Sequence, residues 1–112
     1  MPTDVVIVDD DAGFRAVARE LLESSGIAVV ADVADGAGAL NACRRHRPNG
    51  VLLDVNLPDT TGHVLARTLQ REQPGLRILL TSTESSVGGL DDVPFLPKVE
   101  LALADLAAYF SN

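Results

Sequence analysis

Hydrophobic residues follow two rhythms along this chain. Short unbroken runs (Val5-Val6-Ile7-Val8, Val51-Leu52-Leu53 and Ile78-Leu79-Leu80) read as strands buried on both faces. Between them apolar positions recur three and four residues apart, the spacing of a helix with one buried side. The first run predicts a strand over 4–8. Ala12–Ser24 follows as a helix, with Phe14, Val17, Ala18, Leu21 and Leu22 at helical spacing and Gly26 as its stop. Ile27–Val33 is the second strand. Gly36–His46 is a shorter helix carrying Leu40 and Cys43, closed by Pro48, and Gly50–Asp54 is the third strand. Past a loop over 56–61, Gly62–Glu72 is a helix with Leu65, Ala66 and Leu69 on one side, ended by Pro74-Gly75. Residues 76–80 and 93–96, the latter around Pro94, are predicted strands. Residues 101–110 are the last predicted helix, with Leu103, Leu106, Ala107 and Phe110 at i, i+3, i+4 and i+7.

The segment 82–92 breaks the rhythm. Ser85-Ser86 and Gly88-Gly89 oppose a regular helix, although a parallel crossover needs about a dozen residues. A short irregular connection with at most a turn or two of helix is expected. The strand–helix alternation predicts an α/β fold: a single parallel sheet, doubly wound, with helices on both faces. No internal repeat, low-complexity tract or linker interrupts it.

Composition narrows the class. At 112 residues and 46% hydrophobic, the chain suits one domain with one real core. Aromatics are only 4%, so Val, Leu, Ile and Ala must build that core. A formal net charge of -7 argues against direct binding to nucleic acid or to an anionic membrane surface. The single cysteine, Cys43, excludes an internal disulfide and fits a half-buried apolar role in its helix. There is neither a signal peptide nor an apolar run long enough to span a bilayer, so the expected location is the cytoplasm.

The chemistry lies where the strands end. Asp9-Asp10-Asp11 follow the first run, Asp54 the third, Thr81-Ser82-Thr83 the fourth and Lys98 the last. Working residues in parallel α/β sheets gather at the carboxyl ends of strands. Asp9, Asp10 and Asp54 would converge there and repel one another. A divalent cation relieves that repulsion, and a few hard oxygen ligands with room for water and phosphate suit Mg²⁺ better than Ca²⁺ or Zn²⁺. Lys98 supplies a compact positive charge and Thr81 a hydroxyl. Together they make a kit for an acyl phosphate. Blander roles suit other residues: Asp11 as cap of the first helix, Asp59 as a solvated loop acid, and His46 and His63 as helix-end surface groups. Arg44-Arg45-His46-Arg47 reads mainly as a favourable helix C-terminus.

These motifs together resemble the receiver domain of a two-component response regulator over essentially the full length. Val-Asp9-Asp10 is similar to the family's acidic pair, and Arg15 recurs in the first helix. Leu-Leu-Asp54-Val-Asn-Leu-Pro58 with Gly62 matches the phosphoacceptor segment. Leu-Leu-Thr81-Ser matches the switch hydroxyl, and Phe95-Leu-Pro-Lys98 the final motif. The resemblance implies a flavodoxin-like sheet in the order 2-1-3-4-5. It implies that Asp54 accepts a phosphoryl group from a histidine kinase or histidine phosphotransfer protein. Mg²⁺ would be held by Asp10, Asp54 and the Asn56 carbonyl, with Asp9 acting through water. Thr81 and Phe95 would form the switch that changes affinity for a downstream protein. The chain would not be an enzyme beyond its own phosphorylation and dephosphorylation.

Three departures stand out. The Thr81-to-Lys98 interval is short, so the helix between the fourth and fifth strands is expected to be short or missing. Val99 follows Lys98 instead of the frequent Pro. The expected organisation is one receiver domain over 1–112 with no output domain after Asn112. The Leu-Pro-Lys variant resembles receivers that precede helix-turn-helix outputs. One alternative is a degenerate receiver acting as a constitutive protein-interaction module. Another is a haloacid-dehalogenase-like phosphatase, which needs a second acid where this chain has Asn56.

Overall fold

A computed structural model describes residues 3–84, 90 and 92–111. The elements run β1 (Thr3–Val8), α1 (Ala12–Ser24), β2 (Ile27–Val33), α2 (Gly36–His46), β3 (Gly50–Asp54), α3 (Gly62–Glu72), β4 (Arg77–Ser82), β5 (Phe95–Pro97), a 3-10 segment (Lys98–Leu103) and α4 (Leu106–Phe110). The five strands form one sheet in the order β2-β1-β3-β4-β5, all pairs parallel. The order reverses between β1 and β3, so their carboxyl ends open the crevice in which such sheets bind ligands.

The two-residue period of a strand sends alternate side chains to opposite faces. Val6, Val8, Val51, Leu53, Ile78 and Leu80 pack with α2 and α3. Val5, Ile7, Leu52 and Leu79 pack on the other face with α1 and α4. The unbroken apolar runs are therefore the two-sided strands that their composition predicts. Cys43 is buried, not half-buried. Burial pushes its thiol up to about 11, which makes it an inert packing group.

Local signals set most helix ends. Asp11 accepts from the Gly13 and Phe14 N–H groups, Asp35 from Gly38, and Thr61 from Val64. Gly26, at φ 81°, turns the chain out of α1. Gly62 opens α3 against the end of β3, where an added Cβ would lie 2.5 Å from the Asp54 carbonyl oxygen and 2.7 Å from the Val55 Cα. Both neighbours are backbone and cannot swing aside. Gly62→Ala should therefore cost about 1–3 kcal/mol in urea unfolding. A shift below about half a kcal/mol would show that α3 moves away freely.

The structure departs from the sequence reading toward the C-terminus. β4 runs on to Ser82, so Thr81 is paired within the strand, opposite Leu96, instead of following it. β5 starts two residues late because Pro94 has no N–H to give the ladder and Val93 bridges back to Leu90. Pro97 sits on this edge strand, where it is tolerated. The predicted helix 101–110 is broken. Ala104 is extended, and the Asp105 carboxylate caps α4 through the Ala108 N–H. Leu101 and Leu106 both bury, yet five residues along one helix would set them about 140° apart. The break lets both point inward and leaves Leu103 93% exposed. The expected short or missing helix between β4 and β5 falls mainly on 85–89 and 91, outside the described residues. No described residue between Ser82 and Phe95 is helical.

Candidate functional site

Four strand ends deliver the candidate residues to one crevice. Asp9 leaves β1 fully buried, and its backbone N–H donates to the Val33 carbonyl at 3.0 Å. Its Oδ1 accepts from the Asp11 N–H at 2.9 Å. Asp10, next in the turn, is exposed. Asp54 ends β3 at 6% exposure. Carboxylate oxygens of Asp9, Asp10 and Asp54 all lie within 4.8 Å of one another. Among the described residues this is the one cluster of three His, Cys, Asp or Glu side chains able to hold an ion.

Lys98 reaches into the acids from the end of β5. Its Nζ is 2.6 Å from Asp9 Oδ2 and 3.9 Å from Asp54 Oδ2. The ammonium also lies 4.1 Å from the centroid of the Phe14 ring. Thr81 is fully buried, and its Oγ1 has no hydrogen-bond partner among the described residues. Leaving a buried hydroxyl unmatched costs free energy, so a ligand oxygen there would be welcome.

The field of the site falls on Asp54. Its carboxyl is pushed up to about 6, first by burial and next by the neighbouring Asp9 charge. Lys98 and the Asn56 backbone N–H pull the other way, and Asp10 adds a smaller push upward. A carboxylate in this position gains from any nearby cation. The hard oxygen donors, their spacing and the surplus of negative charge fit Mg²⁺.

The sequence reading singled out Arg15 without its partners and missed the tie made by Asp59. Arg15 Nη1 donates to the Asp9 carbonyl at 2.7 Å, while its Nε pairs with Asp32 Oδ1 at 3.0 Å. Asp32 also takes Arg19 Nη2 at 2.5 Å. The Arg19 hydrogen bond, with help from Arg15, holds the Asp32 carboxyl below its usual range. Asp59 is not merely a solvated loop acid. Its Oδ1 accepts from Gly36 N at 2.8 Å and its Oδ2 from Ala37 N at 3.1 Å. That ties the loop after Asp54 to the start of α2, where the helix dipole favours an anion. The Gly36 and Ala37 bonds keep the Asp59 carboxyl below its usual range. The Arg15–Asp32 pair and the Asp59 tie have no signal in local sequence, because each joins distant segments.

The remaining candidates sit as follows. Phe95 is half-buried beside the α2–α3 core. Asn56 is exposed in the loop and bridges Thr61. Asp11 caps α1 as expected. His46 lies in the exposed last turn of α2 with Arg44 and Arg45, and Arg44 pairs with Glu72 at 2.7 Å. His63 lies in the first turn of α3. Neither histidine belongs to the acidic cluster. No helix among the described residues is long and apolar enough to cross a membrane.

Known proteins are similar to this chain in sequence and in fold. A family model described as "Response regulator receiver domain" matches residues 5–91. The chain is 36% identical over 86 residues to "Probable transcriptional regulatory protein TcrX" of Mycobacterium tuberculosis, across 77% of this chain and 36% of that protein. It is 34% identical over 116 residues to "Response regulator MprA" of Mycobacterium sp., across 96% of this chain and 49% of that protein. It thus spans half or less of these relatives' length. The solved receiver domain (CheY-like) of a response regulator from Methylobacillus flagellatus superposes with a TM-score of 0.74 at 28% identity, covering 85% of this chain and 84% of that one.

Proposed function

This chain belongs to the response regulator receiver domain family of two-component signalling, and on that premise we propose that Asp54 is its phosphoacceptor. The observation that carries the reading is the pairing of a buried, electrostatically stressed carboxylate with an unmatched hydroxyl, Thr81 Oγ1, in one crevice.

The donor is a phosphohistidine on a histidine kinase or histidine phosphotransfer protein. An Asp54 carboxylate oxygen forms an O–P bond as the donor's N–P bond breaks. The electron pair of that bond returns to the imidazole nitrogen. In phosphoryl transfer the protein mainly positions groups and stabilises charge on the equatorial oxygens. Lys98 is placed to do so, needing only to trade its contact with Asp9 for a phosphoryl oxygen. The Thr81 hydroxyl donates to another oxygen and satisfies itself in the process. Asp9, Asp10, Asp54 and the Asn56 carbonyl would hold Mg²⁺, which when bound neutralises the acids and the incoming phosphate. Thr81 and Phe95 pair with neighbours on β4 and β5, so a shift of one is transmitted to the other. That shift changes affinity for a downstream protein partner.

A phosphatase reading lacks its second acid, since Asn56 cannot protonate a leaving group. A constitutive interaction module has one observation in its favour: the broken last helix exposes Leu103. The two surviving readings separate on incubation with Mg²⁺ and a small acyl phosphate, followed by intact mass. The phosphoacceptor gains one labile phosphoryl group, and the constitutive module gains none.

A further inference from the structure

Phe14 makes a contact that the apolar stripe of α1 does not account for. It lies on α1 one turn beyond the acids, and its backbone N–H is tied to the Asp11 cap at 3.2 Å. The side chain is half-buried and packs against the α1–α4 core. Its ring face meets the Lys98 ammonium at 4.1 Å from the centroid. Beside this contact opens a groove of about 430 Å³ whose lining includes Phe14, Lys98, Asp11, Val17, Leu21 and Leu101. Phe14 and Lys98 thus both face that groove, and the ammonium sits where the groove meets the acid site.

We infer that Phe14 is a positioning residue for Lys98, holding the ammonium between its ring face and Asp9 Oδ2 and within 3.9 Å of Asp54 Oδ2. The inference rests on the phosphoacceptor reading for its consequence and on geometry for its existence. Lysine is a point charge on a flexible stem with many rotamers. Here the carboxylates attract it from one side, and the groove offers it an open way out on the other. A ring face carries negative electrostatic potential, so it draws the cation without being able to take its proton. The ring also contributes no formal charge, so it does not compete with an incoming phosphoryl group as a third acid would. Lys98 can slide from Asp9 toward the Asp54 phosphoryl group while staying over the same surface.

The chain has a convenient property for testing this. Lys98 is its single lysine, so one set of side-chain NMR signals reports on the ammonium. Its ε-methylene protons should carry an upfield ring-current shift that disappears in Phe14→Leu and persists in Phe14→Tyr. For the rate, phenylalanine at 14 is replaced by mono-, di- and trifluorinated analogues, which keep the ring's shape while draining its face. Initial phosphoryl gain at saturating Mg²⁺ and a small acyl phosphate should fall stepwise across the series, and by about three- to tenfold in Phe14→Leu. A hydrophobic packing role would leave the fluorinated series flat. A flat series, or Lys98 signals indifferent to Phe14→Leu, overturns the inference. If the unmodified chain gains no phosphoryl group, the functional reading fails, and the NMR result alone then decides whether Phe14 holds Lys98.

Discussion

Asp54→Asn is expected to abolish phosphoryl gain and at the same time to make the protein more stable in Mg²⁺-free buffer at neutral pH. The second half follows from the site's own field. The Asp54 carboxyl is raised from 3.8 to about 6 in the folded chain, with burial as the largest cause. Between those two values the folded state binds a proton that the unfolded state has released. Stability therefore falls as pH rises through that window. Below it the cost is absent, and above it the cost is fully present. A shift of about two units corresponds to at most about 3 kcal/mol. The amide carries no charge, so Asp54→Asn should gain about 2 kcal/mol at pH 7 and almost nothing at pH 4. Urea unfolding at the two pH values measures it. Added Mg²⁺ should erase the difference by stabilising the unmodified chain more. Equal stability of the two proteins at pH 7 would mean that Asp54 is not under electrostatic stress.

Lys98→Met should act in the opposite direction. The thioether keeps the bulk of the stem and removes the charge, leaving Asp9 buried with its closest cation gone. Asp9 is 1% exposed at its side chain, and the lost contact is 2.6 Å. Removing one partner of such a pair leaves an uncompensated buried charge, a loss of about 3 kcal/mol. The Arg15 bond reaches only the Asp9 backbone carbonyl, so it does not replace the ammonium. Mg²⁺ should restore much of the loss, because a second cation can take the place of the first. Stability unchanged by Lys98→Met, with or without Mg²⁺, would refute the buried pairing.

Much of this molecule can be read locally, and the exceptions share a cause. The bounds of α1, β2, α2, β3 and α3 match the sequence reading because their stops are local: Asp11, Gly26, Asp35, Thr61 and the apolar runs themselves. The strand order follows from the alternation together with the family resemblance, and the sheet has that order. The failures need information from afar. The last helix breaks because Leu101 and Leu106 must both face a core supplied by α1 and the sheet. Asp59 looks like a free loop acid until Gly36 is brought beside it. Phe14 reads as one more residue of an apolar stripe until Lys98, from the far end of the chain, arrives over its face. The acids, the hydroxyl and the amine were legible because strand ends converge in any parallel sheet. Their supporting contacts were not, since no periodicity records them.

The central claim is that the carboxylate of Asp54 itself takes the phosphoryl group. An acyl phosphate is reduced by borohydride to an alcohol, which marks the modified aspartate permanently as homoserine. After Mg²⁺-dependent phosphorylation and borohydride treatment, peptide mass mapping should find homoserine at position 54 and nowhere else. Reduction at another acid, or a stable phosphate on a histidine or hydroxyl with Asp54 unmodified, would contradict the account.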